Sequence, residues 1–189
     1  MPSIAVQTGA QVRLVDVTED YYLDIEDLKK KITSKSKVLI LSYMRGYVGN
    51  VDAIVNLCQQ HNIKVVEDCA HTMGLRWKGT PVGRKGIISC YSMQSYKMIN
   101  AGEGGIFVTD DEDLCAKAIL YAGAYERLWK SHINRPKDIA HLQKKIPCLN
   151  VRMNNITAAI IRAQLLTIHE KIEKQNQNDL PPKLVPGHR

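Results

Sequence analysis

The chain predicts an α/β fold, a mostly parallel sheet with helices on both faces, and three observations predict it. Short apolar runs at 37–43, 63–66 and 87–91 alternate with segments of helical spacing that begin near Ile25 and after Asn50. The connections between these runs are long enough for crossover helices. With 44% hydrophobic residues and only 6% aromatics, the core must rest on Val, Ile, Leu, Ala and Met, which suits layered packing of helices on a sheet.

Each element follows from its own residues, and 189 of them suit one domain. Residues 11–17 (Gln-Val-Arg-Leu-Val-Asp-Val) alternate in strand fashion after a turn at Gly9-Ala10. A helix starts at Ile25, with Asp24 as N-cap and Ile25, Leu28 and Ile32 on one face, and residues 34–36 end it. Residues 37–43 (Lys-Val-Leu-Ile-Leu-Ser-Tyr) are almost continuously apolar, as expected of a strand buried on both faces. Asn50 caps a second helix that buries Ile54, Val55 and Cys58, and the strand at 63–66 then ends at Glu67-Asp68. The segment from Ser92 to Gly105 is too polar and glycine-rich for a crossover helix, so the strand at 105–109 is expected antiparallel to the one ending at Tyr91. Asp110 or Asp111 caps a helix through Leu114, Ala118, Ile119 and Tyr121. Residues 123–148 lack periodicity and read as a long basic loop. One amphipathic helix at 155–174 carries Ile156, Ala159, Ile160, Ala163, Leu166 and Ile172 on its core face. The proline-bearing tail at 176–189 is expected to be loose.

Composition excludes several function classes. No apolar run approaches the roughly 20 residues that span a bilayer, and residues 1–20 do not read as a signal peptide, so a cytoplasmic location is expected. The five cysteines are odd in number and widely spaced, so reduced thiols are expected, not a disulfide framework. Much of the net charge of +7 comes from residues 125–152, where seven basic side chains face two acidic ones. Without zinc-finger spacing, an RNP pattern or heptads, that stretch reads as solvated surface or as a contact for a small anion, not as a nucleic-acid groove. No Walker A, Gly-x-Gly-x-x-Gly or Gly-x-Ser-x-Gly sequence occurs.

What chemistry the chain carries centres on Lys97. An isolated lysine is usually solvated surface, but one held partly desolvated can form a Schiff base with an aldehyde cofactor. Gly102, Gly104 and Gly105 would let the backbone approach a flat ligand, though they equally suit a turn entering a strand. Asp68, Ser92 and Lys97 all fall just beyond predicted strand ends, where parallel sheets gather their ligands. Asp68 could keep the ring nitrogen of pyridoxal phosphate protonated or merely cap the next segment, and His71 could reach the same ring or sit as a buried histidine. No metal is expected, because Cys69, His71 and Cys90 have neither the spacing nor the ligand count for zinc.

Four stretches, Val-Val-Glu-Asp-Cys-Ala-His-Thr-Met-Gly at 65–74, Tyr-Ser-Met-Gln-Ser-Tyr-Lys at 91–97, Gly-Glu-Gly-Gly at 102–105 and Asn-Val-Arg-Met-Asn-Asn-Ile-Thr-Ala-Ala at 150–159, together resemble the DegT/DnrJ/EryC1/StrS family. The resemblance implies a fold-type-I pyridoxal phosphate enzyme, an aminotransferase acting on nucleotide-linked keto-sugars with glutamate as donor. It further implies Lys97 as the Schiff-base lysine and general base, Asp68 as partner of the pyridinium nitrogen, Ser92 as phosphate ligand and His71 beside the ring. Asn150 matches a residue that reaches the phosphate of the neighbouring subunit, which implies a homodimer. Relatives that dehydrate sugars carry His in place of the lysine, so Lys97 favours transamination. By the same resemblance, residues 1–175 are expected to form part of a large cofactor-binding domain, as a fragment, a truncated gene product or one part of a split enzyme. The alternative is an inactive remnant that serves only as a binding module.

Overall fold

The computed structural model describes residues 1–123, 128–132, 136 and 139–178. Its centre is a four-stranded sheet of β1 (Val38–Ser42), β2 (Lys64–Asp68), β5 (Ile88–Ser92) and β6 (Gly105–Val108), in that spatial order. The first three strands run parallel and β6 pairs antiparallel with β5, as the glycine-rich connection predicts. A hairpin of β3 (Arg76–Trp77) and β4 (Thr80–Pro81) stands apart; its two turn residues, Lys78 and Gly79, both have positive φ, the twist a two-residue hairpin turn needs.

Helix α2 (Ile25–Lys31) starts where Asp24 accepts hydrogen bonds from the N–H groups of Glu26 and Asp27, and α3 (Val51–Gln60) where Asn50 accepts from Ala53. Past its end, Asn62 takes the left-handed conformation at φ 55°, turning the chain so that Ile63 N–H reaches back to the Cys58 carbonyl. α3 buries Val51, Ile54, Val55, Leu57 and Cys58 against Leu41 and Val65, each large aliphatic contributing roughly 1.5–3 kcal/mol. By strand alternation Leu39, Leu41, Val65, Glu67, Ser89 and Tyr91 share this covered face. Val38, Ile40, Val66, Asp68, Ile88, Cys90, Ser92 and Phe107 share the other, where Val38, Ile40 and Phe107 are exposed.

Helix α4 (Glu112–Tyr121) begins at Asp111, which accepts from Asp113 and Leu114 N–H as expected of its cap. Before the sheet, α1 (Pro2–Gln7) has no buried residue.

Five expectations need correction. Residues 11–16 join no ladder and Val17 makes a single bridge to Leu23; the backbone of Asp16 instead serves the start of α2, its N–H donating to Asp27 and its carbonyl accepting from Asp24. β1 is not buried on both faces, since it is an edge strand with Val38 and Ile40 exposed. The basic loop has a small core of its own: Trp129, Ile139 and Leu142 pack with Ala116 and Leu120 of α4, while residues 124–127, 133–135 and 137–138 lie outside the described residues. The helix at 155–174 is two helices, α5 (Asn155–Leu165) and α6 (Ile168–Asn178), and α5 turns its most apolar face outward. Ile156 is 76% and Leu166 85% exposed, whereas Ile161 is buried with Met93, Ile99 and Ala101. α6 extends into the segment expected to be loose, and the rest of that tail, 179–189, lies outside the described residues.

Candidate active site

Three parallel strands bring their carboxyl ends to one rim. The register sets Ser42 beside Asp68 and Asp68 beside Cys90, and Ser92 follows two residues later on the same face. Asp68 is half-buried; its Oδ2 accepts from Ser42 Oγ at 2.8 Å and its Oδ1 from Ala70 N–H at 3.2 Å. Ser42 escapes sequence reasoning because its partner lies 26 residues away, and only the register of β1 on β2 joins them.

Beyond β2 a turn closed by Thr72 N–H on the Cys69 carbonyl carries His71 over the rim. Beyond β5 a second turn, closed by Lys97 N–H on the Gln94 carbonyl, carries Lys97 toward it. Lys97 Nζ and His71 Nε2 meet at 2.8 Å, a direct nitrogen-to-nitrogen hydrogen bond across 26 residues of sequence. An amine hydrogen-bonded to an imidazole is aimed, and an aimed lysine amine is the nucleophile that Schiff-base chemistry uses. Ser92, half-buried, accepts from Gln94 N–H at 3.2 Å, which leaves its own O–H to donate. Gly102 and Gly104 hold φ of 78° and 152°, so two of the three candidate glycines occupy backbone conformations that side chains disfavour.

Asn150 stands apart from this group. Its neighbours Leu149 and Val151 donate their N–H groups to the Tyr121 and Ala122 carbonyls at the end of α4, and it is itself exposed with no hydrogen bond to Asp68, His71, Ser92 or Lys97. A groove between residues 10–15 and the start of β1 lies away from this rim.

Underneath the rim, Glu67 is fully buried. Its carboxylate accepts from Tyr43 Oη at 2.6 Å and from the N–H groups of Gly83, Lys85 and Gly86 at 3.2, 2.8 and 2.5 Å. Burial, with the Glu67 carboxylate beside it, pushes the Tyr43 phenol far above its ordinary value, so it remains a donor. Burial likewise raises the Cys69 thiol to about 11. Among the described residues no group of three or more His, Cys, Asp or Glu is placed to hold a metal ion.

Residues 2–179 match the model of the DegT/DnrJ/EryC1/StrS aminotransferase family. The chain belongs to that family. It is 31% identical over 175 residues to a 3-amino-5-hydroxybenzoate synthase of Amycolatopsis mediterranei, covering 92% of this chain and 43% of that protein. A GDP-perosamine synthase of Escherichia coli O157:H7 is 32% identical over 175 residues, covering 90% of this chain and 44% of the synthase. The chain thus spans less than half the length of the curated relatives it matches. Among solved structures, the E. coli GDP-4-keto-6-deoxy-D-mannose-3-dehydratase with bound hydrated PLP superposes with a TM-score of 0.75 at 26% identity, over 93% of this chain and 47% of the dehydratase. The family membership fixes the fold as that of the fold-type-I pyridoxal phosphate enzymes.

Proposed function

We propose that this chain is the cofactor-binding core of a pyridoxal-phosphate-dependent aminotransferase that moves an amino group from glutamate to a nucleotide-linked keto-sugar in the cytoplasm. The observation that carries the reading is the Lys97 amine held at 2.8 Å by His71 on the rim where Asp68 ends its strand. The nucleotide-sugar substrate is supported by the similarity to GDP-perosamine synthase.

The residues present fit the cofactor. Asp68 has acceptor capacity beyond the Ser42 and Ala70 donors, as a pyridinium N–H requires. Ser92 has a free O–H for a phosphate oxygen, and Lys97 supplies the amine. When bound, pyridoxal phosphate supplies an aldehyde and a ring that spreads the charge left by a departing proton. Lys97 Nζ would hold the cofactor aldehyde and, once displaced by the amino donor, would take that proton as general base and give it back as general acid. His71 keeps Nζ aimed, and the Asp68 charge, oriented by Ser42, holds the ring nitrogen protonated. We read the assembly as a homodimer in which Asn150 of the partner subunit reaches the phosphate, in keeping with its exposed place away from the other four residues.

Incubation with pyridoxal phosphate, borohydride reduction and peptide mapping test the reading. The expected result is one dominant pyridoxyl adduct, on Lys97. Label spread over surface lysines, or none at Lys97, would overturn it. Lys97→Ala is expected to lower amino transfer by about a hundred- to ten-thousand-fold, measured as 2-oxoglutarate released from glutamate in the presence of GDP- or UDP-linked keto-sugars.

A further inference from the structure

The loop that carries Lys97 is fixed by two different means. At the sheet, Met93 holds both of its strands: Met93 N–H donates to the Gly104 carbonyl at 2.8 Å and Ala101 N–H to the Met93 carbonyl at 3.0 Å. One residue before that anchor, on the limb that returns from Lys97, the fastening comes from a helix. Gln164 of α5 accepts Asn100 N–H on Oε1 at 3.0 Å and donates from Nε2 to the Asn100 carbonyl at 2.6 Å. One side-chain amide therefore pairs with both backbone groups of one residue, as a neighbouring strand would. The remaining amide valences are also engaged: Nε2 with the Ile160 carbonyl at 3.3 Å and Oε1 with Lys171 Nζ at 3.2 Å, so the amide is held from the helix side. Beside it Ile99 is 1% exposed, packed on Ile161.

We propose that Gln164 is a positioning residue for Lys97: by clamping Asn100 it fixes the limb of the loop that returns from the lysine and so holds Nζ within reach of His71 and of the cofactor. The inference rests on the reading of Lys97 as the cofactor's attachment point. Buried contacts at Ile99 fix the loop's depth, but an aliphatic contact leaves rotation and sliding free, whereas two opposed hydrogen bonds fix direction. Asn100 is three residues beyond Lys97, too near for the intervening backbone to absorb a displaced anchor.

Gln164→Met tests this by keeping side-chain length while removing both bonds. Amide exchange of Asn100 is expected to rise by about tenfold, as loss of two modest hydrogen bonds implies. Lys97's share of the pyridoxyl label, referred to the other lysines of the same digest, is expected to fall by about the same factor. A merely structural role would lower the melting temperature without changing that share. An unchanged share in folded Gln164→Met overturns the proposal, and so does unchanged exchange at Asn100. If that variant does not fold, Gln164→Glu serves: Oε1 still accepts Asn100 N–H but an acceptor faces its carbonyl, and a folded Glu variant with the wild-type share of label also overturns it. Wild-type chain that takes no label at Lys97 sinks the cofactor reading and this inference together, which distinguishes that failure from one confined to Gln164.

Discussion

His71 and Lys97 are joined by one hydrogen bond whose acceptor or donor role an amide can replace. His71→Gln is therefore expected to keep Lys97 labelling within about threefold of wild type, while His71→Ala lowers it by about tenfold, read in the same borohydride digest. Glu67 is a different kind of residue, buried and bonded only within the protein's packed side. Glu67→Ala strands Tyr43 Oη and three backbone N–H groups and is expected to cost about 3–5 kcal/mol, measured by urea unfolding. Cys69, its thiol raised to about 11, should resist iodoacetamide at pH 8 in the native chain, while exposed Cys148 reacts. That Asp68, His71, Ser92 and Lys97 gather on one rim was legible in the sequence because each follows a strand end, while the roles proposed for them come from the family resemblance. Ser42 and Gln164 were not, because serine and glutamine are common surface residues and their partners lie 26 and 64 residues away.

At the scale of elements, caps and apolar runs were the reliable signals: Asp24, Asn50 and Asp111 each begin a helix as expected. Helix α5 was misread for a physical reason. Its outward stripe of Ile156, Ala159, Ile160 and Ala163 is more apolar than the inward face, where Gln164 is half-buried and satisfied by bonds invisible in sequence. Ile161→Ala is accordingly expected to destabilise by about 2–4 kcal/mol and Ile156→Ala by less than about 0.5, a comparison urea midpoints decide. α3 is tied to the β3–β4 hairpin by Asp52, which bonds Lys85 and Lys78 Nζ and Trp77 Nε1. The two lysines, Lys85 foremost, hold the Asp52 carboxyl well below the usual carboxylate range. A lowered folded value means the contribution is complete above the unfolded pKa of about 4 and is lost as pH falls below it. The melting-temperature gap between wild type and Asp52→Asn should thus be widest near pH 6 and shrink steadily below pH 4.

For the whole molecule, the proposed sharing of Asn150 between subunits gives a mixing test. Neither Lys97→Ala nor Asn150→Ala alone should carry wild-type label, but an equimolar mixture allowed to exchange subunits should recover about a quarter of the sites, since half the dimers then hold one intact site. No recovery, together with a monomer in sedimentation, would remove the homodimer from the proposal. The sheet face that holds Asp68 and Ser92 also holds exposed Val38, Ile40 and Phe107, so site and open apolar surface are continuous.

Strand β2 ends in consecutive carboxylates that have gone opposite ways: Glu67 down into the packed side, Asp68 up to the rim. A strand's side chains alternate strictly, so parity alone keeps the two apart. Deleting one residue from the turn at His61-Asn62 and letting β2 slide would put Cys69 opposite Ser42 at the rim, draw Glu67 back beside Ile40 and drive the aspartate toward the Tyr43 hydroxyl. The site's chemistry is thereby indexed to the length of a turn far from it, which makes that turn a place where insertions and deletions should silence the protein without touching any residue that meets a ligand.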